Sequence, residues 1–167
     1  LKHFGRYLAG STGMGIWFSM EGQGGPVEVW TDSDWASDKF TRKSTSSMNL
    51  VCDNCLMADS SKQQSVIALS SGEAEYYAGV SGSSTGVLVK GIFDWMKEKR
   101  SLELRVDAKA GKAMMQRLGV GAVRHLEVKT LWLQQLVKQK RLTVMKVPGT
   151  ENHADVGTKA LSPAKFQ

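Results

Sequence analysis

The sequence predicts an α/β domain, a mixed sheet with helices packed on its faces. Two short apolar runs, VEVWTD (27–32) and LELRVD (102–107), each end in an acid, as strands of a covered sheet do when they give way to loops. Longer stretches of helical spacing separate most of the runs. Taken in order the elements read β-β-β-α-β-α-α-β-α from residue 27 onward, and that succession argues for a sheet with both antiparallel and parallel neighbours.

Each element has its own signal. LKHFGRYLAG is a short amphipathic helix with Phe4, Tyr7 and Leu8 on one side, followed by the glycine-rich breaker GSTGMG, a short strand at Ile16 to Ser19 and the loop EGQGGP. VEVWTD is the first main strand. STSSMNLVCDNCLMADSSKQ is a hairpin whose tip is the turn-forming pair Asp53-Asn54. SSGEAEYY starts a long helix, with Ser70 or Ser71 as its cap and acid in its first turn. That helix is expected to run to about Lys99, with Tyr77, Leu88, Ile92 and Trp95 at near-helical spacing. Gly79, Gly82 and Gly86 each cost it roughly 1 kcal/mol against alanine, and together they form one smooth stripe on which a sheet can lie closely.

LELRVD is the fourth main strand, followed by a short helix at 108–118 and the loop GVGAV. A further helix spans about Glu127 to Gln139, with Val128, Leu131, Trp132 and Leu136 inward. LTVMKV alternates as the fifth strand, and after the Pro148-Gly149 turn TENHADVGTKAL reads as a closing helix. Trp35, Trp95 and Trp132 are expected in the core.

At 167 residues the chain fits one domain able to bury its own core. A formal net charge of +6 and a pI near 9.4 favour a polyanionic partner without specifying it. Cys52 and Cys55 are the only cysteines, too few for a structural zinc site or a disulfide framework, and this fits a reducing, intracellular compartment. Nothing resembles a signal peptide, and no apolar run approaches the ~18 residues of a membrane span. The chain starts LKHFGRYLAG without Met, as a segment of something longer would.

The acids form a pattern. Asp32 closes the first main strand, Glu75 lies in the first turn of the long helix, Asp107 closes the fourth strand and Asp155 falls early in the last helix. Functional groups collect where strands end and helices start, so these four can converge. Converged carboxylates repel unless a cation neutralises them, and oxygen-only ligation suits Mg²⁺ or Mn²⁺. Spacing alone leaves ordinary strand-end and helix-start acids as the competing reading.

YLAGSTGMGIWF, TDSDWASDKFTRKSTSS, SSKQQSVIALSSGEAEYYA, VDA, RHLEV and KVPGTENHADVGTKAL occur in this order along essentially the whole chain. Together they resemble the ribonuclease H domain at the end of the Pol polyprotein of copia-type long-terminal-repeat retrotransposons. The resemblance implies a ribonuclease H-like fold, a five-stranded mixed sheet, over residues 27–167, with residues 1–26 as the tail of the reverse transcriptase connection segment. It also implies an endonuclease that hydrolyses the RNA strand of RNA/DNA hybrids with two Mg²⁺ ions, for which Mn²⁺ can substitute, inside a cytoplasmic particle and beside the upstream reverse transcriptase. Carried over by motif, the catalytic and metal-binding residues are Asp32, Glu75, Asp107 and Asp155.

Asp34 rivals Asp32, since i and i+2 share a face of a strand, but is read as solvated or as a neighbour of the site, and Asp38 as a loop residue. Glu73 is turned ~200° from Glu75, so at most one of them points inward. Arg42, Lys43, Ser44 and Thr45 offer charges and hydroxyls for substrate phosphates, and Asn152 a donor for the RNA strand. KQKR, 138–141, suits a helix C-terminus without any substrate. Two departures from the family pattern stand out: Ala108 follows Asp107 where Asn or Ser is common, and no histidine precedes the last carboxylate within VPGTEN. His153 is read as a surface residue. The alternatives are a decayed or domesticated copy that binds nucleic acid without cutting, a structural tail of a polymerase, and a transposase or integrase of the same general fold.

Overall fold

The computed structural model describes residues 2–15, 18, 22, 24–119 and 131–159. Its elements are α1 (Lys2–Gly10), β1 (Val27–Asp34), β2 (Thr45–Cys52), β3 (Cys55–Gln63), α2 (Ser71–Trp95), β4 (Leu102–Val106), α3 (Lys109–Gln116), α4 (Trp132–Lys138) and β5 (Thr143–Lys146), followed by 3₁₀ turns at Gly149–Glu151 and His153–Gly157. The strands form one sheet in the order β3-β2-β1-β4-β5. β1 pairs antiparallel with β2 and parallel with β4, so the expected mixed sheet is present. Residues 16, 17 and 19 of the expected strand at Ile16 to Ser19, residues 127–130 of the helix before β5 and the closing segment from residue 160 lie outside the described residues.

The β2–β3 hairpin closes through Asp53 and Asn54, both with positive φ (49° and 61°), the mirror-image turn that matches strand twist. Arg100, just before β4, ties this tip to the start of β1. Its Nη1 donates to Asp53 Oδ2 (2.8 Å) and to the Gly25 carbonyl (3.1 Å), and its Nη2 donates to Glu98. The guanidinium also lies 4.4 Å from the centroid of the Phe93 ring.

α2 begins at a side-chain cap, Ser70. Ser70 Oγ accepts from the Glu73 N–H, while Glu73 Oε2 accepts from the Leu69 N–H. The glycine stripe then brings the helix down onto the sheet. A Cβ at Gly82 would stand 2.6 Å from Thr31 Cγ2, and one at Gly86 2.6 Å from Val29 Cγ2. Lost helix propensity is thereby exchanged for backbone-close packing over β1, where Val29 and Thr31 are fully buried.

That packing corrects several expectations. Leu88 is turned ~200° from Gly86, so the row of Leu88, Ile92 and Trp95 points away from the sheet and is exposed, Trp95 by 83%. Trp35 is half-exposed, its Nε1 donating to the Ala68 carbonyl, whereas Trp132 packs against the core. α2 ends at Trp95 rather than Lys99. The expected closing helix is replaced, as far as Gly157, by the two 3₁₀ turns.

Alternation along β1 divides its side chains between two faces of the sheet. Val29, Thr31 and Ser33 face α2; Trp30 and Asp32 face the opposite side, which the His153–Gly157 turn covers. Trp30 stacks on the His153 ring at 4.1 Å, and Asn49 Nδ2 donates to the His153 carbonyl at 3.0 Å.

Candidate metal centre

β1 and β4 run parallel and adjacent, so their C-terminal ends lie side by side. Asp32, near the end of β1, and Asp107, the residue after β4, are therefore neighbours. Asp155 reaches them from the His153–Gly157 turn, and one carboxylate oxygen from each of the three lies within 4.8 Å of the others. Asp32 and Asp155 are buried.

The delivery of Asp155 depends on anchors rather than on a helix. Asn152 is buried, its Nδ2 donating to the Thr31 carbonyl (3.0 Å) and its Oδ1 accepting from the Ala154 N–H. Ser61 Oγ donates to the Gly157 carbonyl (2.6 Å), and Gly157 lies so close to Ser47 that an added Cβ would clash with its side chain. Gly149 passes Asp107 closely too: a Cβ there would stand 3.1 Å from Asp107 Oδ2.

Glu75 borders the cluster without being among the atoms that close to 4.8 Å. Its Oε1 accepts from the Ser33 N–H (3.2 Å) and Ser33 Oγ (3.1 Å), while Oε2 is buried and accepts no hydrogen bond from the described residues. Burial, then the charges of Asp32 and Asp107, push its pKa up to about 8. Asp107 is raised as well, by burial first and then by Asp32 and Asp155.

Two residues that the sequence singled out only as part of a motif belong to this site. Thr158 Oγ1 donates to Asp32 Oδ2. Lys159 Nζ stands 3.0 Å from Asp155 Oδ1 and 3.3 Å from Asp32 Oδ2. Burial works against its ammonium, but the hydrogen bond to Asp155 and the charge of Asp32 outweigh it and raise the lysine pKa. The i,i+4 offset from Asp155 was the available signal.

The remaining residues divide cleanly. β1 continues through Asp34, beyond the expected end at Asp32, but Asp34 Oδ1 accepts from the Thr45 N–H across the hairpin and lies outside the cluster. Asp38 is a loop residue: the Thr41 hydroxyl, then the Thr41 and Phe40 N–H groups, hold its carboxyl well below the usual range. Glu73 and Glu75 are both buried, in different directions, Glu73 toward its own helix start.

Of the proposed substrate contacts, Arg42 is exposed and Lys43 half-buried in the loop after β1. Ser44 is a correction, because it is fully buried and its Oγ accepts from the Ala36 N–H. Asn152 is buried, its amide nitrogen donating to the Thr31 carbonyl and its oxygen accepting from the Ala154 N–H, so in this structure it anchors the segment that carries Asp155. Thr45 is half-buried and begins β2.

The residues present suit a divalent cation. Three hard carboxylates converge, two more oxygens come from Glu75, one of them buried without a donor among the described residues, and the neighbouring acids help to raise the pKa of Glu75 and of Asp107. Oxygen-only ligation of this kind favours Mg²⁺ or Mn²⁺ over softer metals.

The sheet order, the long helix across it and carboxylates at the ends of its two central strands define a ribonuclease H-like fold. Solved structures agree. The chain superposes on the N-terminal RNase H domain of Rv2228c from Mycobacterium tuberculosis with a TM-score of 0.53 at 15% identity, covering 80% of this chain and 90% of that one. It matches LC11-RNase H1, isolated from compost, at 0.53 and 16% identity over 79% of this chain and 91% of that one. The same enzyme in complex with an RNA/DNA hybrid matches at 0.51 and 15%, over 78% and 91%.

In sequence the chain is similar to the Retrovirus-related Pol polyprotein from transposon TNT 1-94 of Nicotiana tabacum, 27% identical over 164 residues. That alignment covers 97% of this chain and 12% of the polyprotein. No protein-family model matches the sequence. The resemblance carried by TDSDWA, RKSTS, ALSSGEAEY and NHAD is thus borne out in both respects, a ribonuclease H fold and a retrotransposon Pol relative.

Proposed function

We propose that the chain is a metal-dependent ribonuclease H that hydrolyses the RNA strand of RNA/DNA hybrids during reverse transcription of a retrotransposon. The observation that supports this most directly is the convergence of Asp32, Asp107 and Asp155 beside Glu75. Residues 1–26 are proposed as the end of the connection segment of the upstream reverse transcriptase, a partner of the same polyprotein working within a cytoplasmic particle.

Asp32, Asp107 and Asp155 would hold the metal, with Glu75 as a fourth ligand on the α2 side. Two bound Mg²⁺ ions would supply an activated water and neutralise charge on the departing 3′ oxygen. Ser33 orients Glu75 through its N–H and hydroxyl, so the ligand most prone to protonation is held from two sides. Asn152 and Ser61 keep the 149–157 segment seated, and with it Asp155. Arg42 and Lys43, on the loop that leaves β1 next to Asp32, would bind phosphates and set the register of the duplex.

The deciding measurement uses purified chain, an end-labelled hybrid and Mg²⁺ or Mn²⁺. RNA fragments with 5′ phosphate and 3′ hydroxyl ends are expected, with single-stranded RNA and duplex DNA left intact. Hybrid that is bound but not cut with either metal would overturn the nuclease reading.

A further inference from the structure

The carboxylate cluster already contains a cation of the chain's own. Lys159 Nζ touches two of its members, Asp155 at 3.0 Å and Asp32 at 3.3 Å, residues from opposite ends of the sequence. A second i,i+4 lysine pair, Lys90 with Asp94 at 2.7 Å, shows the ordinary case of an exposed helical neighbour. Lys159 differs because the Asp32 side chain is only 3% exposed and lies in the acid cluster itself.

The lysine is also placed to leave. Its backbone is fixed, the N–H donating to the Asp155 carbonyl at 3.0 Å, while its side chain is 47% exposed and reaches the cluster from the solvent side. Thr158 is tied to Asp32 Oδ2, the same oxygen that Lys159 approaches, so both residues of the TK pair engage the first ligand. A flexible ammonium over fixed carboxylates can rotate out without any movement of the main chain.

We propose that Lys159 is a resident counter-cation, occupying the carboxylate cluster of the metal-free protein and competing directly with the divalent ion for Asp32 and Asp155. This rests on the assignment of the cluster as a metal centre. Lys159 neutralises part of the repulsion that would otherwise loosen the empty cluster, and it sets a threshold, because an incoming ion must displace it. The threshold makes the metal-free domain more stable and its metal affinity lower than the four acids alone would produce.

The test titrates Mn²⁺ into the whole chain, reading free Mn²⁺ by electron paramagnetic resonance and melting temperature in parallel. The wild type is compared with Lys159→Met, which keeps the aliphatic stem, and Lys159→Arg, which keeps the charge. Lys159→Met should bind Mn²⁺ roughly 2- to 5-fold more tightly than wild type, the scale of a part-exposed ion pair. Lys159→Arg should stay near wild type. Without metal the Met variant should melt below wild type, and the gap should close at saturating Mn²⁺.

Wild type and Lys159→Met binding Mn²⁺ equally, or the Met variant binding more weakly, would overturn the competitor role while leaving the metal centre intact. Failure of both to bind would overturn the metal centre itself. Binding by the Met variant alone would support the proposal in its strongest form. Should the Met variant not fold, Lys159→Gln serves in the same comparison.

Discussion

Charged clusters lie at both ends of β1, and they are built on opposite plans. At its start Arg100 is surrounded by acceptors, Asp53, Glu98 and the Gly25 carbonyl, and the hairpin tip, the β1 entry and the β4 entry are all held by one guanidinium. At its end Asp32, Asp107 and Asp155 converge with Glu75 beside them, and Lys159 is the cation in contact among the described residues. In the first cluster each acid is paired with the one guanidinium, and these contacts tie elements of the fold together. The second is in excess of acid, and burial together with the neighbouring carboxylates raises the pKa of Glu75 and of Asp107, the kind of perturbation that collects at functional sites.

The largest difference should appear on exchanging one charge at the acid end. Asp107→Asn keeps shape while removing a negative charge, so hybrid cleavage should fall by about 10²- to 10⁴-fold, whereas the metal-free melting temperature should hold or rise. A variant that cuts at the parental rate would remove Asp107 from the site. The mirror change at the other end is Arg100→Met, which removes the cation from beside Asp53, Glu98 and the Gly25 carbonyl. It should cost about 2 kcal/mol in urea unfolding and leave the cleavage rate per folded molecule unchanged.

A smaller effect is expected from Glu75. Its folded pKa of about 8 lies above the ordinary 4.5, so between these values the folded protein holds a proton that the unfolded chain has released. Metal-free stability should therefore fall as pH rises from about 5 to 8. Saturating Mn²⁺ should reverse the trend, because the ion competes with protons for the same oxygens. A metal-free stability curve that climbs over this range, with Glu75→Gln superimposed on wild type, would separate Glu75 from the acid cluster.

The smallest effect is expected at Asp34→Asn. The amide oxygen of Asn can still accept from the Thr45 N–H, so cleavage should stay within about threefold of wild type and stability within about 1 kcal/mol. Loss of cleavage there, with Asp32→Asn active, would exchange the two aspartates of TDSD.

These sites were legible to different degrees. Strand-end acids and a capped helix start have local signatures, so Asp32, Glu75 and Asp107 could be singled out from the runs that carry them. Asp155 was singled out as an acid early in an expected closing helix, but that helix is a pair of 3₁₀ turns, because Asn152, His153 and Gly157 are bonded to β1, β2 and β3 instead of to a helical ladder. Arg100 carried no signal, since its acceptors come from segments distant in the chain. Trp35 and Trp95 were misplaced for a related reason: an aromatic at helical or strand spacing says which side it is on only once the buried face is known.

Residues adjacent in the chain were enough to set the period of each strand, the positive-φ turn at Asp53-Asn54, the Ser70 cap and the glycine stripe that forces α2 close to a sheet. Folding in three dimensions was needed to settle which acids meet, that Glu73 turns back to the Leu69 N–H while Glu75 turns to Ser33, that Asn152 is an anchor, and that Lys159 enters the cluster. Local preference comes from bond geometry and a few adjacent residues. Convergence of charge needs the register of β1 against β4 and the anchoring of residues 149–157 across the sheet, and these are set by packing between segments far apart in the chain.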